Sequence, residues 1–193
     1  MNHDPHAYLA PYIIWENAFT SQELDSIVAL GDSLRLEKAV LVYGEGGSSA
    51  DDPSRITRTA WMGRAEQTAW IYERIERVIR TVNKDIWRFE LSGFSDLFQY
   101  TVYYGDEGGH FDWHVDQIRQ PAHRRLSASL QLSDPADYEG CDLEIQGGAK
   151  PVAMPRTRGA LVVFPSYVLH RVTPISAGTR KALVVWVAGP PPR

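Results

Sequence analysis

Gly108-Gly109-His110-Phe111-Asp112-Trp113-His114-Val115-Asp116 decides how this chain is read. The glycine pair marks a turn. Phe111–His114 then has the aromatic, alternating character of a short strand. The stretch holds two copies of a His-x-Asp pattern, His110/Asp112 and His114/Asp116. Residues two apart on a strand point to one face, so either pair could present an imidazole and a carboxylate together. His110 directly follows the turn, whereas His114 sits deeper in the run, and this favours His114/Asp116.

Outward from this stretch the chain keeps a β-rich character. Asp96–Tyr104 precedes it. Leu126–Leu132, Leu143–Gln146, Ala160–Phe164, Val168–Val172 and Arg180–Val187 follow, each bounded by Gly, Pro or Asp. About seven short strands predict a sandwich or barrel, with a jelly roll as one solution. Upstream the pattern is helical. Thr20 and Glu23 have capping-box spacing, and Leu24, Ile27, Val28 and Leu30 recur at helical intervals, predicting a helix near 21–34. A second helix is expected near 65–83, with Ile71, Ile75, Val78, Ile79 and Val82 on one side. Tyr12–Ile14 reads as a short strand. Tyr43–Pro53 is rich in Gly, Ser and Asp and reads as a loop; a lid spanning up to Arg58 is the functional alternative.

A chain of 193 residues, 44% apolar and 11% aromatic, fits one globular domain spanning 1–193. The helical support occupies about 1–90 and the β core about 91–188. The net charge of −4 gives no overall pull toward nucleic acid. Arg124-Arg125 and Arg156/Arg158 are short, interrupted basic spots that read as solvated surface. One cysteine, Cys141, cannot make an internal disulfide. No signal peptide or ~20-residue apolar span is visible. These features predict a cytoplasmic protein without membrane or nucleic-acid partners.

His170 lies on another β-like run and completes a set of two imidazoles and one carboxylate. That set can occupy one face of a ferrous ion and leave positions open. Structural histidines are the plainer alternative. Arg180 opens a strand apolar on both faces, where a buried guanidinium needs an anion. A protein carboxylate or a ligand carboxylate held by the fork would serve.

The chain resembles a known family. Tyr104–Asp116 is similar to the Tyr-Gly…Gly-Gly-x-(Tyr/Phe)-x-x-His-x-Asp segment of prolyl-4-hydroxylase-like dioxygenases that use 2-oxoglutarate and Fe(II). Leu130–Leu143 looks like the Leu-Ser-Asp-Pro…Asp-Tyr-x-Gly-Gly-(Glu/Asp)-Leu stretch of the PKHD-type hydroxylases, with Cys141 in place of the second Gly. Gly159–Ser166, Leu169–Val172 and Arg180 resemble the family's later motifs, and the likeness covers roughly 94–188.

The resemblance implies a double-stranded β-helix, or jelly-roll, core. It implies Fe(II) held by His114, Asp116 and His170, and 2-oxoglutarate bound by Arg180, Tyr104 and Gln131. Dioxygen is the other co-substrate and ascorbate a reductant. The implied reaction hydroxylates an unactivated C–H of a peptidyl residue such as proline, or of a free amino acid or small metabolite, releasing succinate and CO2. Asp116 at the carboxylate position favours hydroxylation over halide chemistry. Trp113, Arg55 and Arg58 are candidate substrate contacts, although surface salt bridges would also explain the two arginines. Two other classes stay open: a non-catalytic jelly-roll binding protein, and a cupin-like metalloenzyme that does not use 2-oxoglutarate.

Overall fold

The computed structural model describes residues 10–43, 47–49, 52–117 and 123–190. The helix Ser21–Asp32 begins at Thr20, whose hydroxyl accepts from Glu23 N while the Glu23 carboxylate accepts from Thr20 N. That reciprocal cap satisfies two amides otherwise without partners. The helix Ala69–Asp85 buries Ile71, Tyr72, Ile75, Val78, Ile79 and Val82. Both expected helices therefore form, the second starting later than the apolar pattern suggested.

The rest is antiparallel β. The larger sheet runs Ile13–Trp15, Leu161–Pro165, Arg124–Gln131, Ile175–Ala188, Phe98–Tyr104, Arg58–Met62, Glu37–Lys38. Tyr138–Gly140 and Gly93–Phe94 also pair with its long strand Ile175–Ala188. The smaller sheet runs Val152–Ala153, Leu143–Ile145, His170–Val172, His110–His114, Arg55–Ile56. Alternation divides each strand of the larger sheet. Phe98, Tyr100, Val102, Leu126, Ala128, Leu130, Leu183 and Val185 point to the helices and form the main core. Tyr103, Val162 and Phe164 point the other way, against Leu143, Ile145 and Val172 of the smaller sheet. Two facing antiparallel sheets with helices on one outer side make the jelly-roll architecture that the β-rich half suggested.

Polar ties fix the helices to the sheet. Tyr72 Oη donates to Met62 O at 2.6 Å and accepts from Phe98 N at 3.2 Å. Tyr100 Oη donates to Asp32 at 2.7 Å. Ile75 is fully enclosed, and truncating such a side chain to Ala costs about 2–5 kcal/mol.

The 43–58 region is not one loop. Leu41–Tyr43 pairs with Gly47–Ser49, and Arg55–Ile56 and Arg58–Met62 are strands in different sheets. Residues 44–46 and 50–51 lie outside the described set, and with them part of the lid expectation. Sequence reading missed these two strands because Arg55, Arg58 and two threonines interrupt the apolar alternation.

Candidate metal centre

The strand His110–His114 is not regular. Its partners in His170–Val172 are His114 opposite His170 and Phe111 opposite Val172, so the register shifts between them. A bulge of this kind re-aims side chains. Here it lets Phe111 and His114 share the inner side, with rings stacked 3.5 Å apart. Beyond the strand, Asp116 N and Gln117 N both donate to Ser166 O at 2.9 Å. That double bond pins the chain exit to the Pro165-Ser166 turn and turns the Asp116 side chain inward, where it is buried.

The two candidate histidines are built alike. His114 Nδ1 lies 2.7 Å from Asp112 O, and His170 Nδ1 lies 2.9 Å from Val168 O. A carbonyl accepts, so Nδ1 carries the proton and the Nε2 lone pair is free. Both Nε2 atoms face one carboxylate: His114 at 3.8 Å from Asp116 Oδ1, His170 at 3.5 Å from Oδ2. The candidate ligand atoms of the three residues lie within 4.8 Å of one another. Burial and the neighbouring His170 push the His114 pKa down to about 4, so its imidazole is neutral and a competent ligand at neutral pH. Burial opposes the Asp116 charge, but the imidazoles, Ser127 and the Trp186 indole outweigh it and lower its pKa. Two imidazoles and a buried carboxylate, all aimed at one point, fit a divalent ion with open coordination positions.

The rival pair is spent elsewhere. His110 Nδ1 faces Gly108 O at 2.9 Å and Nε2 faces Pro53 O at 3.0 Å, so neither nitrogen is left for a metal. Asp112 is exposed.

Further along the inner side, Arg180 is buried and donates from Nε to Gln131 Oε1 at 3.0 Å. Gln131 Nε2 donates in turn to Tyr138 Oη at 2.9 Å and Ser133 O at 3.2 Å. No carboxylate within ion-pair distance of Arg180 is present among the described residues. Arg180, Gln131, Tyr138, Cys141 and Arg156 border a cleft of about 270 Å³, part of it open to solvent. Cys141 has φ +57°, a left-handed conformation that glycine adopts without strain, and its thiol is fully buried.

Four expectations need correction. Tyr103, not Tyr104, is the tyrosine beside Arg180: the register places Arg180 opposite Tyr103, with the guanidinium 5.6 Å from its ring. Tyr104 falls on the opposite face and packs against the main core. Burial pushes the Tyr103 phenol up to about 12, leaving it a neutral hydroxyl. Arg58 is paired with Glu107 at 2.5 Å, the salt bridge that was the alternative to a substrate contact. Trp113 lies 4.7 Å under the Arg171 guanidinium, itself paired with Glu144 at 2.7 Å, and stacks on neither histidine. Arg124 is not solvated surface. Its side chain is 13% exposed, bonded to Asp96 at 2.9 Å and 3.9 Å above the Trp186 ring. Arg55, by contrast, does lie at the inner side. Its guanidinium is 4.5 Å over the Phe111 ring, the ring that stacks on His114.

Residues 98–188 match the family model described as the 2OG-Fe(II) oxygenase superfamily. That segment is just under half of the chain, and the relatives it is similar to are PKHD-type hydroxylases. A PKHD-type hydroxylase of Pseudomonas fluorescens is 42% identical over 88 residues. The match covers 41% of this chain and 38% of that relative, so the chain spans about two-fifths of the relative's length. The fold is that of a Pseudomonas putida prolyl-4-hydroxylase, with a TM-score of 0.73, 20% identity and 94% of each chain covered. A prolyl hydroxylase from Trichoplax adhaerens, solved with a hypoxia inducible factor peptide fragment, superposes with a TM-score of 0.76 at 20% identity, covering 95% of this chain and 86% of its own. No helix among the described residues is long and apolar enough to cross a membrane.

Proposed function

We propose that this chain is a 2-oxoglutarate- and Fe(II)-dependent hydroxylase. In this reading His114, Asp116 and His170 hold the iron. Arg180, seconded by Gln131 and Tyr103, holds the distal carboxylate of 2-oxoglutarate. The observation that carries it is a matched pair. Two Nδ1-locked imidazoles and a buried carboxylate converge on one point, and the same interior layer holds a buried arginine without an acidic partner among the described residues. A metal answers the first half and a dicarboxylate co-substrate the second. A binding protein would need neither, and a metalloenzyme without 2-oxoglutarate would leave Arg180 uncompensated.

Iron with 2-oxoglutarate and dioxygen supplies the oxidising chemistry that inserts oxygen into an unactivated C–H, with succinate and CO2 released. The protein's own part is positioning and exclusion of water. The Asp112 and Val168 carbonyls hold each imidazole in one tautomer and orientation. Phe111 and Phe164, whose rings lie 3.5 Å and 4.7 Å from His114 and His170, wall the histidines with apolar surface. The Gln131 carbonyl oxygen orients the Arg180 fork, so the co-substrate meets a fixed cation. The substrate is a small metabolite, a free amino acid or a peptidyl residue, oxidised without nucleic-acid or membrane partners, in the cytoplasm.

Succinate release tests this. The protein is supplied with Fe(II), ascorbate, dioxygen and 2-oxoglutarate, and screened against free amino acids, small acids and proline peptides. Oxygen-dependent succinate formation that His114→Ala abolishes is expected. Failure to bind 2-oxoglutarate, with no turnover under any condition, would favour the binding-protein reading.

A further inference from the structure

Arginines of the two sheets fall into two groups. Arg58, Arg124 and Arg171 each bond a carboxylate: Glu107 at 2.5 Å, Asp96 at 2.9 Å and Glu144 at 2.7 Å. Arg180 and Arg55 have none among the described residues. Arg180 is accounted for by the co-substrate. Arg55 is not.

Its surroundings are specific. Nη2 donates to Gln99 Oε1 at 2.9 Å, and Nε is enclosed with no hydrogen-bond partner. One face of the guanidinium lies 4.5 Å over Phe111. Burial is the largest influence on Arg55 and lowers its pKa, whereas the Glu107 carboxylate raises that of Arg58. The acid that acts on Arg55 electrostatically, Asp116, belongs to the candidate metal ligands and its charge is answered there. Arg124 adds a second positive charge close by, and Asp96 answers only that one. Among the described residues, this side of the site therefore carries one guanidinium more than its carboxylates neutralise. A partly buried cation in that position is stable only if something anionic completes it in the working state. Gln99 is buried, and its register partners Trp61 and Val184 set it at the centre of the larger sheet, so Arg55 is held on a rigid element.

We propose that Arg55, oriented by Gln99 and the Phe111 ring, binds a carboxylate of the substrate, so that the molecule oxidised is a small carboxylic acid rather than a neutral peptide segment. The inference rests on the hydroxylase reading above and names its substrate class. Through Phe111, Arg55 is one ring removed from His114, so the bound acid presents its carbon skeleton to the metal while its carboxylate faces the guanidinium. The trapped Nε proton and the fork geometry suit a planar carboxylate.

The test uses the full chain loaded with Mn(II) and saturated with 2-oxoglutarate. Titration calorimetry compares L-amino acids and small mono- and dicarboxylic acids with their primary amides, and with a blocked proline peptide. At least one acid is expected to bind tenfold or more tightly than its amide. Arg55→Gln should bring that acid to the level of the amide and leave the 2-oxoglutarate affinity within twofold. Arg55→Lys should restore part of the preference. Gln99→Met should weaken acid binding without touching 2-oxoglutarate, and Arg58→Gln should change neither. Three results would overturn the proposal: no acid binds, the neutral peptide binds as well in Arg55→Gln as in the wild type, or Arg55→Gln weakens 2-oxoglutarate itself. The last would make Arg55 the co-substrate anchor. A wild-type protein that binds no 2-oxoglutarate would instead sink the parent reading, a result the first titration separates from the others.

Discussion

Two His-x-Asp pairs begin four residues apart, one within the strand His110–His114 and one running past its end, and have different fates. His110 spends both ring nitrogens on the carbonyls of Gly108 and Pro53. His114 spends one on Asp112 and turns the other toward a buried carboxylate and a second imidazole. Regular alternation would have put His110, Asp112 and His114 on one face. The bulge between Phe111 and His114 breaks that equivalence, and the Ser166 carbonyl then draws Asp116 inward. A metal-binding pattern is thus made by what each ring's second nitrogen does, not by residue spacing.

The largest effect should separate these pairs. His114→Ala or Asp116→Ala should weaken Fe(II) or Mn(II) binding a hundredfold or more by calorimetry. His110→Ala should leave metal affinity within about threefold. Its cost should be in stability instead, about 1–3 kcal/mol in chemical denaturation for the lost carbonyl partners. Equal losses of metal by both alanine variants would erase the distinction.

The same contrast recurs at Arg180 and Lys181, neighbours on opposite faces. Arg180→Gln should raise the 2-oxoglutarate dissociation constant tenfold or more. Lys181→Gln removes only a partly exposed pair with Asp32, at 2.7 Å, and should change it less than twofold. A smaller difference is expected at the adjacent tyrosines. Tyr103→Phe should weaken 2-oxoglutarate binding about three- to tenfold, consistent with the net ~1 kcal/mol of one hydrogen bond. Tyr104→Phe should leave it unchanged. Reversal of that order would restore Tyr104 as the pocket residue.

The smallest effect concerns acid stability of the metal-free protein. The His114 pKa lies at about 4 in the fold against 6.5 ordinarily, so the unfolded chain binds the extra proton first. Stability from the neutral ring is complete above pH 6.5 and is lost as pH falls toward 4. The thermal midpoint of the metal-free protein should drop by roughly ten degrees over that interval, and His114→Phe should flatten the dependence. A midpoint that stays level in the wild type would contradict the burial argument.

Much of this was legible in the chain, and for identifiable reasons. The capping box of Thr20 and Glu23 is local, and most of the run Leu126–Leu132 lies in the strand Arg124–Gln131. The triad and Arg180 stand in recognisable motifs. Four features were not legible because they depend on pairing between distant strands. Whether Tyr103 or Tyr104 faces Arg180 turns on a one-residue register. The bulge at 112–113 has no local signature. Arg55 and Arg58 look alike in sequence, yet they pair in different sheets and Glu107 bonds Arg58 alone of the two. Arg124 reads as surface until Asp96 and Trp186 close around it.

In the proposed reading, His114, Asp116 and His170 hold iron where 2-oxoglutarate, anchored by Arg180, can reach it. Anaerobic titration of the Fe(II)-loaded protein with 2-oxoglutarate, followed by the visible metal-to-ligand absorption band, tests it most directly. The account predicts a saturable band in the wild type and in His110→Ala, none in His114→Ala, and one needing at least tenfold more 2-oxoglutarate in Arg180→Gln. A band that survives His114→Ala, or disappears with His110→Ala, would contradict it.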